Sequence, residues 1–315
     1  MHAIGFGARF AVNRGVRPST VFDFSRGVLP AGARLARASP ATCYTASGAI
    51  VSVAADGARF DRDPVTGALR GLLIEPAATN LFARSTDWSD GYWLKSGVAA
   101  SASVLTETTI NGAHSVRQAT SDINYVAGQA ISVSLIAAER SGSAKRYLAI
   151  TLGTVPAFSG SSFAIFDLAN GAVTVAANCN AAATPAGGGA WLCVASATPV
   201  QATTGQQIVV RLNAASGAIA SYVGDGTSGL SVTHVQIEAG ATATSRIVTG
   251  ATAETRAADV LTLDWRSRGV SDGAIGVRFG FDDGSSQDTS MTVASGIATV
   301  PVTLARRWIT RVQKI

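Results

Sequence analysis

Polar and apolar positions alternate along the chain over short runs. Residues 129–136 read Gln-Ala-Ile-Ser-Val-Ser-Leu-Ile, with period two. Residues 146–152 do the same less strictly, and further extended runs cover 162–166, 172–175, 191–194, 207–212 and 230–237. Turn signals separate them: Asn111-Gly112, Asn170-Gly171, Gly187-Gly188-Gly189 and Gly224-Asp225-Gly226. Alternation of this kind places one face of each strand in a core. Regular short strands bounded by such turns predict an all-β sandwich, and about eight of them suit a jelly roll. No stretch repeats apolar residues at i, i+3, i+4 and i+7, so long helices are not expected.

The flanks differ from the middle. Residues 1–79 alternate Arg-rich stretches with turn signals such as Pro30-Ala31-Gly32, Ser39-Pro40 and Ala55-Asp56-Gly57. They hold too little apolar material for a large core of their own and read as an attachment or oligomerisation region. Residues 80–257 form the sandwich. Residues 258–315 read as a small C-terminal β domain, with strands over 260–265 and 274–281 and a hairpin turn at Asp282-Asp283-Gly284. The run 297–300 meets Pro301, which marks an edge strand or a bulge. Trp308 is expected inside that module with arginines around it.

Composition supports a folded, turn-rich protein. Apolar residues make up 47% and charged residues 14%, the reverse of a disordered chain. The net charge is +5, and lysine occurs only at Lys95, Lys145 and Lys314, so arginine carries nearly all the positive charge. Arginines gather at the ends: Arg9, Arg14, Arg17, Arg26, Arg34 and Arg37, then Arg306, Arg307 and Arg311. Without a recognition helix or interleaved aromatics they do not predict nucleic-acid binding. They read as docking ends that meet acidic protein surface. Cys43, Cys179 and Cys193 lack metal-ligand spacing; Cys179 and Cys193 could meet across strands, but free thiols are the expectation. The N-terminus has no continuous apolar core, so neither a signal peptide nor membrane insertion is expected.

The most distinctive segment is 58–81, Ala-Arg-Phe-Asp-Arg-Asp-Pro-Val-Thr-Gly-Ala-Leu-Arg-Gly-Leu-Leu-Ile-Glu-Pro-Ala-Ala-Thr-Asn-Leu. A turn at Asp63-Pro64 and Thr66-Gly67, with Asp63 capping local amides, leads into a buried run, Leu72-Leu73-Ile74, that stops at Glu75-Pro76. This segment resembles one found in tail fibres and head spikes of tailed bacteriophages and gene transfer agents. Other pieces are similar to the same family: Asn80-Leu81-Phe82 with Trp88-Ser89 and Tyr92-Trp93-Leu94-Lys95; the hairpin 221–230; and 235–240 followed by 243–247 and 255–259. The resemblance spans roughly residues 58–260 and implies a virion structural protein with a carbohydrate-binding jelly roll, exposed on the released particle. Its partners would be host capsule or another surface polysaccharide, and other virion proteins.

Physical chemistry constrains a sugar site independently. Burying roughly 100 Å² of a sugar's apolar face contributes about 2.5 kcal/mol. After association costs that leaves about millimolar affinity. A useful adhesin is therefore multivalent, which favours a homo-oligomer, a trimer or pentamer. Candidate contacts are Tyr125, Tyr147 and Tyr222, which offer rings in polar or turn contexts, and Arg140 and Lys145, which with Arg146 would meet an acidic capsule. Trp88, Tyr92 and Trp93 could form a sugar platform, but the favoured reading is that they cap the sandwich core, and Trp191 too reads as core. Asp225 lies in an oxygen-rich turn, but one carboxylate falls short of the roughly six to eight oxygens that Ca²⁺ takes, so a tight turn is expected and no cofactor is required. Glu75, Glu107, Glu139, Glu238 and Glu254 form no evident carboxylate pair, His2, His114 and His234 are scattered, and no nucleophile elbow or phosphate loop is present. An enzyme is not expected. A polysaccharide hydrolase is the weakest alternative, behind a docking protein without glycan binding.

Overall fold

The structure, a computed structural model, describes residues 20–121, 123–140 and 144–315. Among them there is no α-helix, only a 3₁₀ turn at Arg266–Arg268; the rest is antiparallel strand and connection. The protein is an all-β sandwich, as the alternation predicted.

Two six-stranded sheets form the middle. The first runs Asn180–Gly187, Ala190–Ala197, Ile131–Glu139, Gly229–Ala239, Val104–Glu107, Val98–Ala100. The second runs Ala172–Ala177, Ser162–Asp167, Tyr147–Gly153, Val209–Asn213, His114–Gln118, Trp93–Ser96. Successive strands cross between the sheets: Val104–Glu107 feeds His114–Gln118, then Ile131–Glu139, then Tyr147–Gly153. Their inward side chains build one core from Leu105, Val116, Val133, Leu135, Leu148, Ile150, Val210 and Val235. Trp88 and Trp93 close one side of it, 4.5 Å apart between ring centroids, with their indole N–H groups donating to Val232 O and Arg84 O. They are core, as expected.

The strand Asn180–Gly187 escaped the sequence reading. Its Ala-, Thr- and Pro-rich composition supplies almost nothing to bury, and it is an edge strand, where Pro185 is tolerated. It turns into Ala190–Ala197 through Gly188 and Gly189, both at positive φ (59° and 77°), the twist a two-residue hairpin requires. Cys43, Cys179 and Cys193 are all free thiols.

The two flanks are one body. The strand Trp308–Lys314 lies between Gly273–Phe281 and Leu69–Leu73 and also pairs with Val21–Asp23. A three-stranded sheet joins Ala33–Ala36, Val260–Asp264 and Ile297–Thr299, the last on the edge as predicted. A single second core holds Phe22, Phe24, Leu72 and Ile74 from the N-terminal side with Leu261, Trp265, Phe279 and Val312 from the C-terminal side. Residues 20–79 were expected to pack on something outside the chain; their apolar residues are instead completed by strands more than 180 positions away. The N-terminal Arg9, Arg14 and Arg17 lie outside the described residues.

Charge completes the junction. Arg37, Arg59 and Arg256 are buried with Glu75 and Asp259. Arg59 reaches Glu75 at 2.9 Å and also Asp259, while Arg37 holds Asp259 at 2.9 Å. Arg307 adds a 2.8 Å contact to Glu75. Arg37 and Arg307, read as docking residues, therefore act within the fold. Burial alone would push the Glu75 carboxyl up; Arg59, Arg256 and Arg307 outweigh it and hold it down at about 2. Nearby, Asp63 Oδ1 accepts from the amides of Val65 and Thr66, the local capping read from the sequence. The distinctive segment 58–81 thus works as a staple between bodies: it supplies Arg59 and Glu75 to the ion network and Leu72 and Ile74 to the core.

Candidate functional site

Two places collect polar and aromatic side chains. The first is one end of the sandwich, where Glu107, Arg146 and Tyr222 meet. Glu107 ends a strand of the first sheet, and Arg146 immediately precedes a strand of the second, so the crossover between sheets brings them together. Arg146 donates through Nε and Nη2 to the two Glu107 oxygens. The Tyr222 hydroxyl donates to Glu107 at 2.7 Å, and the Asp225 amide donates to it at 2.7 Å. Burial raises the Glu107 carboxyl and is outweighed by these donors, leaving it below its ordinary value. The Tyr222 phenol is pushed up, first by burial and then by Glu107. Its ring lies over His114, centroids 4.3 Å apart.

Around this anchor lie the other candidates. Lys145 is exposed, pairs with Asp167 at 2.7 Å and sits 5.1 Å from the centre of the half-buried Tyr147 ring. Arg140 donates to Thr106 Oγ1 at 2.8 Å and to Thr227 O at 3.1 Å. Between them a hollow of about 190 Å³ is lined by Glu139, Arg140, Lys145, Arg146 and Leu230. Of the five predicted residues, Arg140 and Lys145 line this hollow, and Tyr147 and Tyr222 flank it through Lys145 and Arg146, forming one rim. The fifth, Tyr125, does not. It is 2% exposed, its hydroxyl donates to Leu152 O, and its ring packs edge-on against Phe158. A tyrosine in a polar sequence context satisfied its hydroxyl inside the core, which sequence context alone does not distinguish from exposure. Asp225 makes the expected tight turn, accepting from the amides of Thr227 and Ser228.

The second place was not found from the sequence. Positions that alternate with the core on Ile131–Glu139 and Gly229–Ala239 carry Ser132, Ser134, His234, Gln236 and Glu238, each at most 3% exposed. Alternation assigns only the opposite face to the sandwich core; the flanking body covers this one. Between them lies a cavity of about 430 Å³. Its walls include Ile136, Leu192, His234 and Arg246 on one side and Tyr44 and Trp308 on the other. Trp308 is half-buried here rather than inside a core: Arg70 stacks 3.5 Å from its ring centre, Arg307 lies 4.5 Å away, and its Nε1 donates to Asp61 at 2.7 Å. The available signal was the polar set at every second position of two adjacent strands.

No protein-family model matches this chain, and no curated protein matches it.

Proposed function

We propose that this chain is a virion appendage of the phage-spike or tail-fibre type, whose jelly-roll sandwich binds host-surface polysaccharide. The observation that carries the reading is the rim: Arg140 and Lys145 line a shallow hollow at one sandwich end, with Tyr147 beside Lys145 and Tyr222 beside Arg146. Alternating strand crossings between two sheets support the jelly-roll description, and the sequence resemblance over roughly 58–260 supports the phage-appendage reading. Planar guanidinium and carboxylate groups beside an aromatic ring match what a sugar presents, hydroxyls at the edge and C–H groups on the face. One such shallow site binds at about millimolar strength, so the appendage acts as a homo-oligomer. The test is adsorption of purified protein to encapsulated bacteria and to their capsule-free derivatives. Selective adsorption to the encapsulated cells is expected; equal adsorption to both removes the reading.

A docking protein without glycan binding is the second reading. It is favoured by one observation: Lys145 and Arg146 are already paired to Asp167 and Glu107. Particles lacking the protein would then lose another component or fail to assemble, rather than assemble normally and adsorb poorly.

A further inference from the structure

The cavity between the sandwich and the flanking body contains polar groups that the protein itself leaves unmatched. The Ile247 amide donates to Gln236 Oε1 at 2.7 Å, which fixes that atom as an acceptor. His234 Nε2 lies 3.2 Å from the same oxygen and so carries the proton. His234 Nδ1 is then a lone pair, and it is buried without a hydrogen-bond partner. On the same wall, the Arg246 Nε is also buried without a partner, and among the described residues Arg246 makes no ion pair. The other charges here are committed. Arg70 pairs with Asp282 and Arg307 with Glu75. Asp61 accepts from the Tyr44 amide through one oxygen and from Trp308 through the other. A half-buried guanidinium with its Nε shut away and unpartnered, and a buried lone pair without a donor, are both costly unless something supplies the partner.

From this we infer that the cavity binds a hydroxylated monocarboxylate of sugar size, such as a hexuronate. Its carboxylate meets Arg246, the one cation among the described wall residues without an ion pair, and one hydroxyl donates to His234 Nδ1. Its carbon skeleton lies along Ile136 and Leu192. The cavity is not sealed, and Tyr44 and Trp308 on its wall are only half-buried. One uncommitted cation selects a monoanion over a phosphate dianion. The volume, about 430 Å³, suits a small molecule. Nothing in this inference depends on the rim as a glycan site.

Isothermal titration of the full chain with sodium glucuronate, glucose and cyclohexanecarboxylate tests it. Glucuronate is expected to bind, with glucose (no carboxylate) and cyclohexanecarboxylate (no hydroxyl) at least about tenfold weaker. Arg246→Gln should weaken glucuronate about tenfold or more, and Arg246→Lys should fall between, since it keeps charge but loses the planar fork. Leu192→Trp, at a half-buried wall position, should block the cavity, and its thermal midpoint reports whether the fold survives. Equal binding of the three compounds overturns the inference. So does glucuronate binding that neither Arg246→Gln nor Leu192→Trp alters, or no glucuronate binding at about 50 mM. An oligoglucuronate arm separates the sources: tighter binding than the monomer identifies an acidic polysaccharide end as the ligand, and equal or weaker binding identifies a free hydroxy acid, each upholding the site.

Discussion

Arg59 Nη1 lies 2.9 Å from Oε2 of Glu75, and both side chains are shut away from solvent. The pair stands sixteen residues apart within the segment 58–81, and Glu75 also draws Arg307 from the far end of the chain. Removing one partner of such a pair leaves a buried charge uncompensated. Glu75→Gln is therefore expected to destabilise the protein by about 3–5 kcal/mol, read as a lower urea midpoint.

The same carboxyl sets an acid limit. Its folded value, about 2, lies below its ordinary 4.5, so it binds protons more readily when unfolded. Its contribution is complete above about pH 4.5 and is lost as pH falls towards 2, amounting to on the order of 3 kcal/mol. Denaturant titrations of wild type and Glu75→Gln should converge over that interval; a constant difference would contradict the assignment.

Tyr125 and Tyr147 should separate cleanly. Tyr125→Phe removes a buried hydroxyl that donates to Leu152 O, at about 1 kcal/mol in stability with no change in adsorption. Tyr147→Ala, on the half-buried rim, should weaken polysaccharide adsorption more than it alters the thermal midpoint.

Gly171 faces Trp191. A Cβ there would lie 2.3 Å from the indole ring, and the backbone φ is +71°. The ring is held in place by its Nε1 donating to Leu168 O. Gly171→Ala should lower stability by about 1–3 kcal/mol, measured by thermal unfolding, through left-handed strain and collision together.

These residues show how far the sequence could be read. Sandwich strands such as Ile131–Glu139 and Gly229–Ala239 were legible because Val133, Leu135, Val235 and Ile237 recur at every second position. The rim was largely legible because Lys145, Arg146 and Tyr147 adjoin a strand start. What was hidden depends on long-range pairing. Leu72 and Ile309 look unrelated in sequence but are register partners, so two apparent end modules form one body. For the same reason the cover over the face bearing Ser134 and His234, and the cavity it lines, could not be foreseen. Removing residues 258–315 should accordingly unfold residues 20–75, with limited proteolysis degrading them; survival of the N-terminal part intact would argue for separate modules.

The rim is tested most directly by measuring binding of capsular oligosaccharides to wild type and to a Lys145→Ala, Tyr147→Ala double variant of unchanged thermal midpoint. Wild type should bind and the double variant should lose about tenfold or more in affinity. Equal affinity of the two proteins would contradict the assignment of this sandwich end as the sugar-binding face.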